Sequence, residues 1–223
     1  MAIAAQSIVK SVVEVLQDPT NTRWKIADIA RYFNDGRRQV ILHRPDAGAT
    51  EVSRALVGGV RQTLPAGGAS LLDIKRNTTS KRAVTPIRDR KILDAVDPGW
   101  PGLLGVTDIE HFMYDERDAL AFMVYPPAAA SGAALDILYA AIPDDITIPG
   151  PSATYADVTG NLVLPDVFGN AMIDYCLYRC YSIDNEFSPD PQRADKHLTL
   201  FAAALGVEID AVLKSSPRAM PGA

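Results

Sequence analysis

The sequence predicts an α+β fold in which helices at both ends of the chain flank a β-rich middle, and three observations predict it. Apolar residues recur at three- and four-residue steps before residue 47 and again after residue 164. Between residues 49 and 141 the apolar period falls to about two, and turn-rich sequences separate the period-two segments. The order is therefore two helices, strands, two helices. The expected architecture is a four-helix bundle from residues 1–47 and 143–206, with a sandwich- or barrel-like module, residues 48–142, inserted between helices 2 and 3.

Residues 3–16 read as the first amphipathic helix, with Ile8, Val12, Val15 and Leu16 on one side and Asp18-Pro19 ending it. The second, residues 24–46, carries an apolar stripe of Trp24, Ile26, Ile29, Ala30, Phe33, Val40 and Ile41. Arg23, Arg31, Arg37, Arg38 and Arg44 fall mostly outside that stripe, so this helix is expected to present a cationic outer face to an acidic protein partner. Gly36 sits mid-helix at a cost of about 1 kcal/mol relative to alanine, which marks a close approach or a bend.

Strands are expected over residues 51–57, 60–64, 70–75, 110–114, 121–125 and 134–141. Gly58-Gly59 has the composition of a tight hairpin turn, while residues 65–68 and 115–118 look like longer connections. Residues 86–101 form a short helical or extended link whose Trp100 covers a sheet edge or its junction with the helices. After a loop over residues 143–161, Pro165 and Asp166 suit a first helical turn, and Phe168, Ala171, Met172, Tyr175, Cys176, Tyr178 and Arg179 continue the period. Asp190-Pro191 starts the last helix, Ala194, Leu198, Phe201, Ala204 and Leu205 form its stripe, and Gly206 is its C-terminal cap.

Charge is distributed unevenly. Residues 1–91 hold 16 Lys+Arg against 8 Asp+Glu, and residues 92–223 hold 6 against 19, so a +8 segment precedes a −13 segment. Two unlike surfaces on one protomer would suit a head-to-tail contact between copies; the alternative is neutralisation within one molecule if the termini fold together. The net charge of −5 argues against tight phosphate-driven binding to nucleic acid. The N-terminus lacks the basic leader and apolar core of a secretory signal. The longest uncharged run, residues 119–135, contains Pro126, Pro127, Ser131 and Gly132 and falls short of the roughly 20 apolar residues of a spanning helix, so no membrane association is expected.

Candidate chemistry is sparse. Cys176 and Cys180 share one helical face, where a disulfide would be strained and a metal would lack ligands, so both are expected reduced and buried. His43, His111 and His197 have neither metal-ligand nor triad spacing; His111, with Asp108, Glu110 and Asp115 nearby, is the one local cluster. Asp115, Glu116 and Asp118 could supply the two carboxylates of a wall-degrading glycosidase, but turn chemistry accounts for DERD as well. Tyr114, Tyr125 and Tyr139 could form a carbohydrate-binding platform, and core packing accounts for them equally. No catalytic residue, metal or cofactor is assigned.

The phrases Trp24 with YFNDGRRQVILHRPDA, LLDIKRN, ILDAVDPGW, YDERDALAFMVYPP, LDILYAAIP and LPDVFGNAMIDYCLYRCYSID, in that order, resemble the head-to-tail adaptor proteins of tailed bacteriophages, also called head completion or connector proteins, of short-tailed phages and their relatives. None is a catalytic signature. The resemblance implies a non-enzymatic virion protein, assembled in the host cytoplasm as a dodecameric ring under the portal. It would extend the DNA channel without binding the duplex specifically and offer a platform to the tail or its nozzle. It further implies that residues 207–223 order on the portal through Val207, Ile209, Val212, Leu213, Lys214 and Arg218. Arg31, Arg37, Arg38 and Arg44 are the expected inter-subunit residues.

Overall fold

Local sequence dictates the first two helices in the computed structural model, which describes residues 3–87, 90–183 and 191–207. In α1 (Ala5–Leu16) the buried side is Ala5, Ile8, Val9, Val12, Val13 and Leu16. Val15, expected on that side, is half exposed, because the buried stripe runs through positions 9 and 13. The helix ends at Gln17 in the left-handed region. The Asp18 carboxylate then accepts main-chain N–H groups of Thr22 (3.1 Å), Arg23 (2.9 Å) and Trp24 (3.1 Å), shaping the link into α2 (Ile26–His43). Trp24 therefore precedes α2, with its ring edge-on to Tyr181 at 6.3 Å.

The chain divides into two units, Met1–Ala47 with Pro143–Ala223, and Gly48–Ile142. Within the first, α4 (Gly169–Ile183) is the shared partner, packing on α1, on α2 and on α5 (Pro191–Leu205). Gly36 explains how α2 and α4 come so close: a Cβ there would lie 2.8 Å from Met172 Cε and 2.9 Å from Tyr175 Cδ1. Buried Phe33, Tyr175 and Phe201 carry the packing, with the Tyr175 and Phe201 rings 5.0 Å apart. Cys176 and Cys180 are free and buried, and burial pushes the Cys176 thiol well above its ordinary pKa. Ahead of α4, Val163 adopts φ 57°, a costly conformation for a β-branched residue, just after the chain bridges Ala4 through Asn161. At the end of α5, Gly206 (φ 69°) donates to Ala203 O and Val207 to Ala202 O, the paired bonds of a Schellman cap.

The second unit packs two sheets over one core. β1 (Ala49–Ala55), β7 (Ala134–Ala141) and β3 (Gly68–Asn77) form one, in the order β1-β7-β3. β2 (Gly59–Thr63), β6 (Ala121–Ala128), β5 (His111–Tyr114) and β4 (Thr85–Pro86) form the other, in the order β2-β6-β5-β4. Leu71, Ile74, Leu135 and Ile137 from the first share a buried cluster with Phe112, Phe122 and Val124 from the second. Alternation along β5 and β6 turns Met113, Met123 and Tyr125 to the opposite face, where α3 (Arg90–Val96) and Trp100 cover them. Trp100 donates its indole N–H to Asp94 Oδ1 at 2.9 Å.

Gly58-Gly59 is not a hairpin turn. β1 and β2 lie in different sheets, so the pair carries the chain from one to the other, with Gly59 at φ 108°. The amide of Gln62 secures this crossing: it accepts Val57 N–H (2.8 Å) and donates to Val57 O (2.6 Å) and Gly59 O (3.1 Å). Asn77 does the same for the approach to β5, accepting Ile109 N–H and donating to Ile109 O, each at 2.8 Å, while being 1% exposed.

Two outcomes follow from these packings. Gly36→Ala should lower stability by about 1–2 kcal/mol in urea unfolding, since overpacking against Met172 and Tyr175 exceeds the helix-propensity gain; a stabilised variant would contradict the close approach. Burial opposes the Asp18 charge, but the N–H groups of Trp24, Thr22 and Arg23 and the Thr20 hydroxyl outweigh it and hold the pKa below the usual carboxylate value. With the folded pKa depressed, the stabilisation is present above the unfolded value and lost as pH falls. The stability difference between the parent and Asp18→Ala should therefore shrink between about pH 5 and pH 2, as followed by thermal melts.

Candidate assembly surfaces

The arginines of α2 and its C-cap divide into three that reach solvent and one that does not. Arg31 is 60% exposed at its side chain and pairs with Asp28 one turn earlier. Arg38 pairs with Asp35 at 3.2 Å and places Nη2 between both oxygens of Asp145. Arg44 makes two parallel bonds to Asp46, at 3.0 and 2.8 Å, and these raise its pKa. Arg37, expected on the outer face, is 1% exposed. Its Nη2 donates to Asn34 Oδ1 (2.7 Å) and Asp144 O (2.8 Å), and its guanidinium lies 5.1 Å from the Phe33 ring centre. Burial pulls its pKa down, and Nε finds no hydrogen-bond partner among the described residues.

Asn34 completes this arrangement. Its amide donates to Ile146 O at 3.2 Å and accepts Ile146 N–H at 3.0 Å, so that α2 grips the irregular segment after Pro143 through one side chain. Nearby, Arg179 is nearly buried; burial opposes its charge, but Tyr175, Asp35 and Tyr32 more than offset that and raise its pKa. Burial in turn pushes the Tyr32 and Tyr175 hydroxyls up to about 12. The acidic groups that meet the basic helix thus belong to the same protomer.

The +8 and −13 segments do not become two poles. Counted by unit, the first holds 12 Lys+Arg against 16 Asp+Glu, net −4, and the second 10 against 11, net −1. Ion pairs join the two segments of sequence inside each unit: Arg38 with Asp145 and Arg179 with Asp35 in one, Arg61 with Asp118, Arg76 with Asp136 and Arg82 with Asp108 in the other. Neutralisation within the molecule accounts for most of the linear asymmetry.

In the β unit, the Asp115–Asp118 loop borders an open depression of about 780 Å³ that also touches Arg61, Arg90 and Met123. Asp118 is paired with Arg61 at 2.8 Å, Asp115 accepts Arg117 N–H within its own turn, and neither is buried. His111 Nδ1 lies 2.6 Å from Thr85 Oγ1, with its ring stacked on Tyr125; among the described residues no three His, Cys, Asp or Glu converge. His197 Nδ1 lies 2.8 Å from Asp174 Oδ1, and its ring stacks on Tyr181. His43 closes α2, and partial burial lowers its pKa. Tyr139 is buried, Tyr125 sits edge-on to Trp100, and Tyr114 accepts Leu71 N–H while donating to Ala119 O. Each tyrosine is held by its own unit.

Of the expected tail contacts, Val207 is fixed by the α5 cap. Ile209, Val212, Leu213, Lys214 and Arg218 lie outside the described residues. Residues 3–221 match the SU10 adaptor protein family over nearly the whole chain. The chain belongs to that family. No curated protein matches it. As a phage adaptor it is a structural component of the virion, and among the described residues no helix is long and apolar enough to cross a membrane.

Sequence reasoning about this adaptor missed the inward turn of Arg37, although NDGRR places 34/37 and 35/38 at i,i+3 spacing, one pair facing in and one facing out. Removing either member of the inner pair should be costly. Asn34→Ala and Arg37→Met should each destabilise by about 2–4 kcal/mol, and the double variant by about 0.5 kcal/mol or more less than the sum, because the two residues share hydrogen bonds. Additive losses in chemical denaturation would mean that the two side chains act independently.

Proposed function

We propose that this adaptor assembles as a ring beneath the portal of a bacteriophage head, extends the DNA channel and presents the attachment platform for the tail. The observation that carries this reading is the family match across residues 3–221. A ring of twelve is the copy number that the resemblance to head-to-tail adaptors implies. A net charge of −5 supports a conduit role, because a surface poor in unmatched cations releases few counterions on meeting phosphate and so lets the duplex slide.

With both units close to neutral, contact between copies rests on local patches. Arg31 is the foremost candidate on α2: its pair with Asp28 is exposed, worth about 0–1 kcal/mol, and readily exchanged for a neighbour's carboxylate. Arg38 and Arg44 would share their carboxylates with a neighbour. Arg37 contributes from within, by fixing the helix that displays the others. From the α5 cap onward the chain supplies Val207, Ile209, Val212 and Leu213, with Lys214 and Arg218 later in the sequence, for the portal.

Mass photometry of the purified protein, with and without portal particles, tests this. A ring-sized mass increment on the portal is expected, lost when residues 207–223 are deleted and reduced in Arg31→Glu. Failure of the full-length protein to bind portal particles, or its absence from purified virions, would overturn the reading.

A further inference from the structure

The sheets of the β unit expose four edges, and three of them are defended. β4 is two residues long and contains Pro86. β2 is five residues long, with a register shift against β6 and the Gln62 amide folded back on its start. β3 shifts register three times against β7, carries Lys75 and Arg76, and is bridged by Ala83. β1 lacks the proline, the register shifts and the bridging segment, and of its two charged residues Glu51 is already matched by Lys75. It runs seven residues in unbroken register with β7, without proline, glycine or lysine, and it is exposed along most of its length. A long, exposed edge in unbroken register is a template for an added strand.

The register identifies the open groups. Leu56 N–H donates to Ala133 O, continuing the Ala55↔Ala134 pairing, so alternate residues Thr50, Val52 and Arg54 bond to β7. Glu51, Ser53 and Ala55 therefore point their N–H and C=O groups outward, and among the described residues no main-chain partner meets them. The side chains discriminate between possible strands. Glu51 is matched by Lys75, whereas no ion pair or hydrogen bond engages Arg54 among the described residues. An added antiparallel strand would face Arg54 at a non-hydrogen-bonded position, where opposed side chains lie closest.

A second copy of β1 fits poorly. Outward groups must meet outward groups, so its possible registers set Arg54 against Thr50, Val52 or Arg54 and never against a carboxylate. We propose that β1 is a strand-addition site for an extended segment of a different virion protein, one that places an acidic residue opposite Arg54. This rests on the adaptor reading and adds to it a specific surface and the chemistry of its occupant.

Backbone hydrogen exchange tests it in three samples: the free protein, its complex with purified portal, and the neck isolated from virions. In the free protein the amides of Glu51, Ser53 and Ala55 should exchange quickly and those of Val52 and Arg54 slowly. A second protein's strand should slow the outward amides by about 100-fold in the neck, with the portal complex telling whether portal or tail supplies it. Ser53→Pro removes one outward N–H and leaves the β7 ladder intact, while Ser53→Ala loses the 2.9 Å hydroxyl contact with Thr78 but keeps that N–H. The proline variant, with a melting temperature near that of the alanine variant, should lose about tenfold or more in neck retention, and Arg54→Glu should lose retention without unfolding. Fast exchange at all three outward amides in an intact neck would overturn the proposal while leaving the adaptor role standing. Protection in a ring of this protein alone would overturn it in favour of pairing between copies.

Discussion

Buried amide side chains that hydrogen-bond both peptide groups of a single residue elsewhere in the chain hold this fold in place where regular structure stops. Asn34 takes the N–H and C=O of Ile146, Asn77 those of Ile109, and Gln62 those of Val57. All three amides are buried. Each latch satisfies main-chain groups that a loop would otherwise have to leave in contact with water, and at Ile109 and Ile146 it lets irregular chain lie against a core. Leaving such a group unsatisfied costs about 1–3 kcal/mol, comparable to a sizeable share of a domain's net stability. The helices and strands are fixed by apolar periodicity; these three contacts, with the Asp18 carboxylate and Arg37, secure the path between them.

The same economy governs charge. The basic start and acidic end of the chain meet inside each unit, so ionic groups that look like an excess along the sequence are mostly matched in space. Most of these pairs are exposed and individually weak, which suits a protein that must trade contacts on assembly. Arg37 departs furthest from this: desolvated and bound to Asn34 and Asp144, it acts as part of the scaffold.

How much of this was legible in the sequence depends on the range of the interaction. Period and punctuation located α2, α5, its Gly206 cap and the six longer strands, because those signals are local. Gly36 was readable as a close approach because glycine in mid-helix needs a reason, and Met172 with Tyr175 provides it. Strand pairing was not readable: Gly58-Gly59 has hairpin composition, yet only the register of β1 with β7 and β2 with β6 reveals a crossing between sheets. The two-residue β4 is too short to carry a period. Arg37 was misplaced because a count of charges cannot tell which of two adjacent arginines finds a buried acceptor 107 residues away. The surfaces that serve assembly are the least legible, since exposure and edge geometry arise only after folding.

For a neck component, the value of the latches is that the surfaces offered to neighbours are already shaped before any neighbour arrives, which lowers the ordering cost of each contact. The most direct test is the exchange rate of three backbone amides, Val57, Ile109 and Ile146, measured by NMR on the isolated protein as denaturant is raised. If the latches hold the connections, these amides exchange only through opening as costly as that of the surrounding core. Exchange at the rate of exposed loop amides, while the helices and strands remain protected, would contradict the account.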